Sequence, residues 1–177
     1  MPKTIQYKYL VAEDERLIRK NLIKKIDSLN LPLINCGEAA NGTEAIELII
    51  QTCPHIVITD IRMPECDGLE LAKYLSENHP GIKTMILSGY DDFSYVKDSF
   101  LAGSINYLVK PVDKIDLVNA LSKALEIIGQ RQTDKEEKEK QQISIQKAAS
   151  FIKDREFSQL IDGRFTGKLP DRIWGGH

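Results

Sequence analysis

The chain has 177 residues, 42% of them apolar and 28% charged, with a formal net charge of −2. That is enough for one ordinary domain with an appendage, or for two small domains, with a core of useful size. A protein built mainly to grip nucleic acid or an anionic membrane is excluded, since residues 1–128 hold 14 Lys+Arg against 18 Asp+Glu and the other 49 hold 10 against 8.

Short apolar runs alternate with amphipathic stretches from the start. Ile5 to Ala12 predicts a strand, and Glu15 to Ser28 a helix with Leu17, Ile18, Leu22, Ile23 and Ile26 inward. Leu31 to Ala40 is a weaker strand, holding Pro32 and Gly37. Asn41-Gly42 turns into a helix over Thr43 to Gln51. Ile56-Val57-Ile58-Thr59-Asp60 is a β-branched run closing on a carboxylate. Leu69 to Glu77 follows as a helix capped by Asp67 and stopped by His79-Pro80-Gly81. Lys83 to Ser88 predicts a strand, Asp91 to Leu101 a helix, and Ile105 to Val109 a strand. A final helix begins near Asp113 and points Ile115, Val118, Leu121, Leu125 and Ile128 inward. Five alternations of strand and helix imply a doubly wound α/β fold, a parallel sheet with helices on both faces. The continuous apolar strands agree, because strands of such a sheet are buried on both sides.

After Ile128 the pattern changes. Residues 129–147 form a polar, charged stretch in which Asp134/Lys138 and Glu136/Lys140 stand at helical spacing. An exposed helix and a mobile linker both fit, the solvated linker better, and no apolar seam supports a coiled coil. Apolar residues return from Ile143 to Ile161, among them Phe151, Ile152, Phe157, Leu160 and Ile161, leading into the last segment, 148–177. This segment is too short for its own core and reads as the start of a further helical region.

Cys36, Cys53 and Cys66 lie 17 and 13 residues apart, which fits neither a disulfide framework nor a zinc site. They are expected as small buried thiols in a reducing compartment. His55, His79 and His177 are equally scattered. The N-terminus lacks the apolar run of a signal peptide, and no stretch approaches the ~20 apolar residues that span a bilayer. A cytoplasmic protein without membrane contact is the expectation.

Ligands of an open parallel sheet bind at the carboxyl ends of its strands. There the chain places Glu13 and Asp14 after the first strand and Asp60 at the end of the third. Ser88-Gly89 close the fourth, and Lys110-Pro111 follow the fifth. Singly, each has a plain structural role as helix cap, turn or loop residue. Together they put three mutually repelling carboxylates at one sheet edge, an arrangement that calls for a cation. Oxygen donors with no soft ligand nearby point to Mg²⁺. Lys110 adds a compact positive charge and Ser88 a hydroxyl donor. A carboxylate nucleophile, a hard cation and a lysine are the parts of a phosphoryl-transfer site, with Asp60 as the attacking group.

The stretches Val11-Ala12-Glu13-Asp14-Glu15, Thr59-Asp60-Ile61-Arg62-Met63-Pro64 with Asp67-Gly68, Leu87-Ser88-Gly89-Tyr90 and Tyr107-Leu108-Val109-Lys110-Pro111 resemble the receiver-domain signature of two-component response regulators. The resemblance covers residues 5–128 and implies a flavodoxin-like five-stranded sheet of order 2-1-3-4-5 with a C-terminal helical extension. It implies that Asp60 is phosphorylated by the phosphohistidine of a sensor histidine kinase. Mg²⁺ would be held by Asp60, by Asp14 directly, by Glu13 through water and by the backbone carbonyl of Arg62. Ser88 and Lys110 would bind the phosphoryl oxygens, the latter across a cis Lys110-Pro111 peptide, and Tyr107 would be the aromatic switch that follows Ser88. Many family members carry Asp where Glu13 stands and Thr where Ser88 stands, which leaves the lifetime of the phosphorylated state open. The switched surface would span about Asp91 to Leu125; Met63, Tyr90, Phe93, Tyr95 and Phe100 lie near it, most of them expected in core and loop packing and an exposed subset as a partner surface. A homodimer on activation is a further expectation.

The segment from Phe151 to Phe165 is similar to the region after the receiver in AraC-type (YesN-like) response regulators, which continue into a DNA-binding helix-turn-helix pair. No such pair is present in these 177 residues, so DNA would be contacted only through a domain outside them. The chain is then read as a fragment or as a naturally short version. Two other classes compete. An aspartate-nucleophile phosphatase of the haloacid-dehalogenase type wants a second carboxylate two residues on, where Arg62 stands. A stand-alone receiver would act by protein contact alone. In neither receiver reading is the chain an enzyme beyond its own phosphorylation and dephosphorylation. Gly163 to Leu169 imitates a P-loop but has three residues between its glycines where four are needed, and Leu169 where Ser or Thr must stand.

Overall fold

Five strands form one sheet of order β2-β1-β3-β4-β5, with every neighbouring pair parallel. The structure, a computed structural model, describes residues 6–89 and 101–165. The elements are β1 (Tyr7–Ala12), α1 (Arg16–Asp27), β2 (Leu33–Ala39), α2 (Gly42–Thr52), β3 (Ile56–Asp60), α3 (Gly68–Asn78), β4 (Lys83–Ser88), β5 (Asn106–Val109) and α4 (Lys114–Phe165). The doubly wound sheet and its strand order are those the sequence predicts. The helix expected over Asp91 to Leu101 lies outside the described residues except for Leu101, as do Tyr90, Phe93, Tyr95 and Phe100.

Position in the sheet explains the strand sequences. Every residue of β3 and β4 is buried, because these strands have neighbours on both edges and helices over both faces. Edge strand β2 buries only Ala39, so it tolerates Gly37 and follows a proline. Alternate residues of β1 serve two cores. Tyr9 and Val11 meet Leu22, Ile23 and Ile26 of α1 and Leu117, Leu121, Ala124 and Ile128 of α4. Leu10 and Ala12 meet Ala45 and Ile49 of α2 and Leu71 and Leu75 of α3. A third group, Ile61, Ala72 and Ile86, lies where β3 turns toward α3.

The Asp67 cap falls where the sequence puts it, and Asn41, expected as a turn residue, caps α2 one residue earlier than predicted. Asn41 Oδ1 accepts from the Glu44 amide at 2.7 Å, and Asp67 forms a reciprocal capping box with Glu70. Two expected core residues are corrected. Leu17 is 79% exposed and Ile115 is 68% exposed. At about 100° per residue, Leu17 lies far round the helix from the Leu22–Ile23–Ile26 stripe. Ile115 likewise faces away from Leu117, whose place on the inner stripe the sequence reading missed. The thiols also differ from expectation. Cys36 and Cys66 are half-buried, and Cys53 is exposed, capping α2 in the left-handed region at φ 48°.

The chain divides into two compact units, residues 1–130 and 131–177. In the second, the described backbone is helical to Phe165, and the side chains of 131–147 are exposed apart from a partly covered Gln132. Among the described residues no helix is long and apolar enough to cross a membrane.

Candidate functional site

The strand order creates the site. Helix α1 leaves β1 toward one face of the sheet, and α3 leaves β3 toward the other, so a crevice opens beyond the ends of these adjacent strands. Ala12 pairs with Thr59 in the ladder, which sets Glu13 and Asp14 beside Asp60. One carboxylate oxygen from each of Glu13, Asp14 and Asp60 lies within 4.8 Å of the other two. Glu13 is wholly buried, Asp60 nearly so, and Asp14 exposed.

Lys110 arrives from the far side. The β4–β5 ladder pairs Ser88 with Val109, and the Lys110 amide donates to the Ser88 carbonyl at 2.7 Å. The Lys110 ammonium then reaches Glu13 Oε2 at 2.6 Å and Asp60 Oδ2 at 3.0 Å. The Lys110-Pro111 peptide is cis. The Ile61 amide donates to Asp60 Oδ1 at 2.9 Å, so both oxygens of Asp60 are held. Ser88 is fully buried beside these groups, its hydroxyl donating to the Gly89 carbonyl at 3.0 Å.

Charge is not balanced here. Burial pushes the Glu13 carboxyl above its ordinary range, opposed by the Lys110 hydrogen bond and reinforced by the Asp60 charge. Burial pushes Asp60 up too, opposed by Lys110 and reinforced by Asp14. Burial works against the Lys110 ammonium, but its bond to Glu13 and the Asp60 charge outweigh that and raise its pKa. One ammonium among three carboxylates leaves excess negative charge in a half-enclosed place. A hard divalent cation suits that set, since the convergent donors are oxygens and, among the described residues, no thiol or imidazole joins them. The mouth is an open cleft of about 500 Å³ lined by Asp14, Ile61, Arg62, Met63, Pro64 and Asp67.

Glu13, Asp14, Asp60 and Lys110 therefore meet directly, and Ser88 adjoins them through the ladder. Arg62 is exposed on the cleft wall. Tyr107 is half-buried against the Ile61–Ala72–Ile86 group. Met63 is buried in the core, the packing role expected for most of that group.

Two roles escaped the sequence reading, that of Gly68, there only part of a motif, and that of Arg19. At Gly68, a Cβ would lie 1.9 Å from the Asp60 carbonyl oxygen, so only glycine lets α3 begin this close to the end of β3. Arg19 donates from Nη1 to the Glu13 carbonyl and from Nε to Glu38 Oε2 at 3.4 Å. Its signal was legible, since residue 19 shares the helical stripe of Leu22, Ile23 and Ile26, an odd place for an arginine without a task.

Comparison with known proteins agrees with this geometry. A family model for the response regulator receiver domain matches residues 9–122. The chain is 34% identical over 157 residues to the uncharacterized transcriptional regulatory protein YesN of Bacillus subtilis, covering 89% of this chain and 43% of that one. It is 35% identical over 127 residues to the transcriptional regulatory protein HptR of Staphylococcus aureus, covering 72% and 50%. The chain thus spans about half the length of these relatives or less. Among solved structures, the REC domain of AraT, a response regulator from Geobacillus stearothermophilus, superposes with a TM-score of 0.68 at 34% identity, covering 72% of this chain and 99% of that one. A LuxR-family DNA-binding response regulator from Staphylococcus aureus gives 0.61 at 25% identity, covering 67% and 98%.

Proposed function

Because the chain belongs to the response regulator receiver domain family, we propose that it is a phospho-switch in which Asp60 accepts a phosphoryl group from the phosphohistidine of a sensor histidine kinase. The observation that carries this reading is the placement of the Lys110 ammonium, 3.0 Å from Asp60 Oδ2 although 50 residues separate them in the chain. Asp60 attacks phosphorus with its free carboxylate electrons, the phosphorus–nitrogen bond of the donor breaks, and the imidazole leaves. Lys110 turns from Asp60 to the incoming phosphoryl oxygens and offsets their charge. Ser88 exchanges its bond to Gly89 for one to the phosphoryl group, and Tyr107 follows it inward.

Asp14, Asp60 and the Arg62 carbonyl would hold Mg²⁺, with Glu13 acting through water. When bound, the ion supplies electrostatic stabilisation of the charge developing on the phosphoryl oxygens. The backbone amide of Ile61 keeps Asp60 oriented throughout. The chain has no catalytic turnover in this reading beyond its own phosphorylation and dephosphorylation. Its output surface spans about Asp91 to Leu125, and a homodimer on activation fits a switch of this kind.

The same reading assigns the output to transcription, through DNA-binding helices outside these residues. It is supported by the relatives, both named transcriptional regulatory proteins. Incubating the protein with a small-molecule phosphodonor and Mg²⁺ should add one phosphoryl group by intact mass, and Asp60→Asn should add none. An unmodified wild-type protein would leave only a docking module. A helix-turn-helix pair in the reading frame after His177 would establish the DNA-binding output.

A further inference from the structure

We propose that Arg19 is a positioning residue for the acidic turn Glu13-Asp14-Glu15. Held by Glu38, it pins the Glu13 carbonyl and so fixes how Glu13 and Asp14 present their carboxylates to a cation. The inference rests on the metal-assisted reading above and adds a residue that touches neither metal nor phosphoryl group.

The turn needs such a support. Helices α2 and α3 each begin with a side-chain cap, whereas the N-cap residue of α1, Glu15, makes no cap bond and the first turn holds no acid. Within the turn, the Glu15 amide reaches Glu13 Oε1 only at 3.4 Å. From the sheet side, the Glu13 amide donates to the Ala39 carbonyl at 3.0 Å. Arg19 closes the other side, reaching back from α1 to the Glu13 carbonyl.

Glu38 makes this arrangement rigid. It lies in β2 opposite Val11 of β1, two residues before Glu13. Its Oε1 takes Lys20 Nζ at 2.7 Å and its Oε2 takes Arg19 Nε at 3.4 Å. Since Lys20 already neutralises Glu38 at the shorter distance, neutralising that carboxylate does not account for Arg19. The arginine side chain is only 13% exposed, and a charge so covered needs a specific partner. Its fork supplies two donors in fixed geometry, one for the carboxylate that orients it and one for the carbonyl it holds.

The sign of one measurement separates this role from simple electrostatics. Removing a positive charge beside a cation site strengthens cation binding if charge alone matters. Removing a positioning group weakens it, typically ~10-fold or more for a residue that orients metal ligands. Isothermal titration of Mg²⁺ into the full chain, without phosphodonor, should show Arg19→Gln binding about 10-fold more weakly. Lys20→Gln, which removes the other partner of Glu38, should stay within about twofold of wild type, well short of that loss. Unchanged or tighter binding by Arg19→Gln, at metal-free thermal stability equal to wild type, overturns the proposal and leaves the phospho-switch standing. Absence of Mg²⁺ binding by the wild-type chain overturns both. If Arg19→Gln fails to fold, Arg19→Lys keeps the charge but not the fork, and the same criteria apply. Weaker binding supports the role and unchanged binding refutes it.

Discussion

Replacing Gly68 with alanine tests how tightly the fold grips its acidic site. The added Cβ would lie 1.9 Å from the Asp60 carbonyl oxygen and 2.8 Å from its carbonyl carbon, against a floor of 3.0 Å for real Cβ contacts. Relief therefore requires a shift of about 1.1 Å, and the obstacle is backbone rather than the end of a flexible side chain. Neither side yields easily. The Gly68 amide is bonded to the Ile61 carbonyl at 2.9 Å, and Asp60 is fixed in the β3–β4 ladder opposite Leu87. Overpacking of this kind costs about 1–3 kcal/mol. Intrinsic helix propensity pulls the other way, favouring alanine by up to ~1 kcal/mol. With a urea slope of ~1–3 kcal/mol/M, the net loss should lower the unfolding midpoint by several tenths of a molar to about 1 M. Gly81→Ala is the control, because nothing lies within 4 Å of a Cβ there. If Gly68→Ala were as stable as Gly81→Ala, the close approach of α3 to Asp60 would be refuted.

Three further outcomes follow from local geometry. Burial and the charge of Lys8 hold the His55 pKa below its ordinary 6.5, and His55 Nδ1 accepts from the Lys8 amide at 3.0 Å, which only the unprotonated nitrogen can do. The unfolded chain then takes the proton first, so this contribution to stability is complete above about pH 6.5 and is lost as pH falls toward the native pKa; His55→Gln should flatten that part of a urea-midpoint-versus-pH series, and an unaltered slope would contradict it. Cys53→Gly should stabilise by about 0.5–1 kcal/mol in urea unfolding, since the α2 cap sits at φ 48° where glycine is unstrained. Asn41→Ala should cost about 1 kcal/mol by the same measurement, because it leaves the Glu44 amide at the start of α2 without its acceptor.

What the sequence disclosed and what it hid divide along physical lines. Period and apolar content placed β3 and β4 at their observed limits, because strands buried on both faces admit few polar residues. Asp67 marked its helix start by chemistry that works over three residues, whereas Asn41 reads only as a turn residue although it caps α2. The meeting of Glu13, Asp14, Asp60 and Lys110 was legible because they lie at or just past strand ends, and strand ends in this fold meet at one edge. Leu17 and Ile115 misled because a helical stripe read from hydrophobicity has no fixed angle until a neighbour defines its inner face. What Gly68 and Arg19 do stayed hidden for a related reason. Their significance lies in a backbone oxygen of a distant residue, Asp60 or Glu13, and nothing in a residue's own type announces which carbonyl it will meet.

The position of the acidic cluster also sets what it costs. Asp60 closes β3 opposite Leu87 of β4, and Glu13 directly follows β1 with its amide on the Ala39 carbonyl, so both stand at the edge of a sheet whose residues fill both cores. The carboxylates cannot move apart without loosening that packing, and burial holds them away from water. Lys110 relieves the repulsion only in part, because it binds Glu13 and Asp60 and leaves Asp14 at the mouth. Anything that adds positive charge at that mouth is therefore favoured by energy the fold has already committed. Anything that adds negative charge to Asp60 must first draw Lys110 away from its present partners. In the proposed phospho-switch, a single added charged group would bias the site because the packed strands do not let the repulsion dissipate locally.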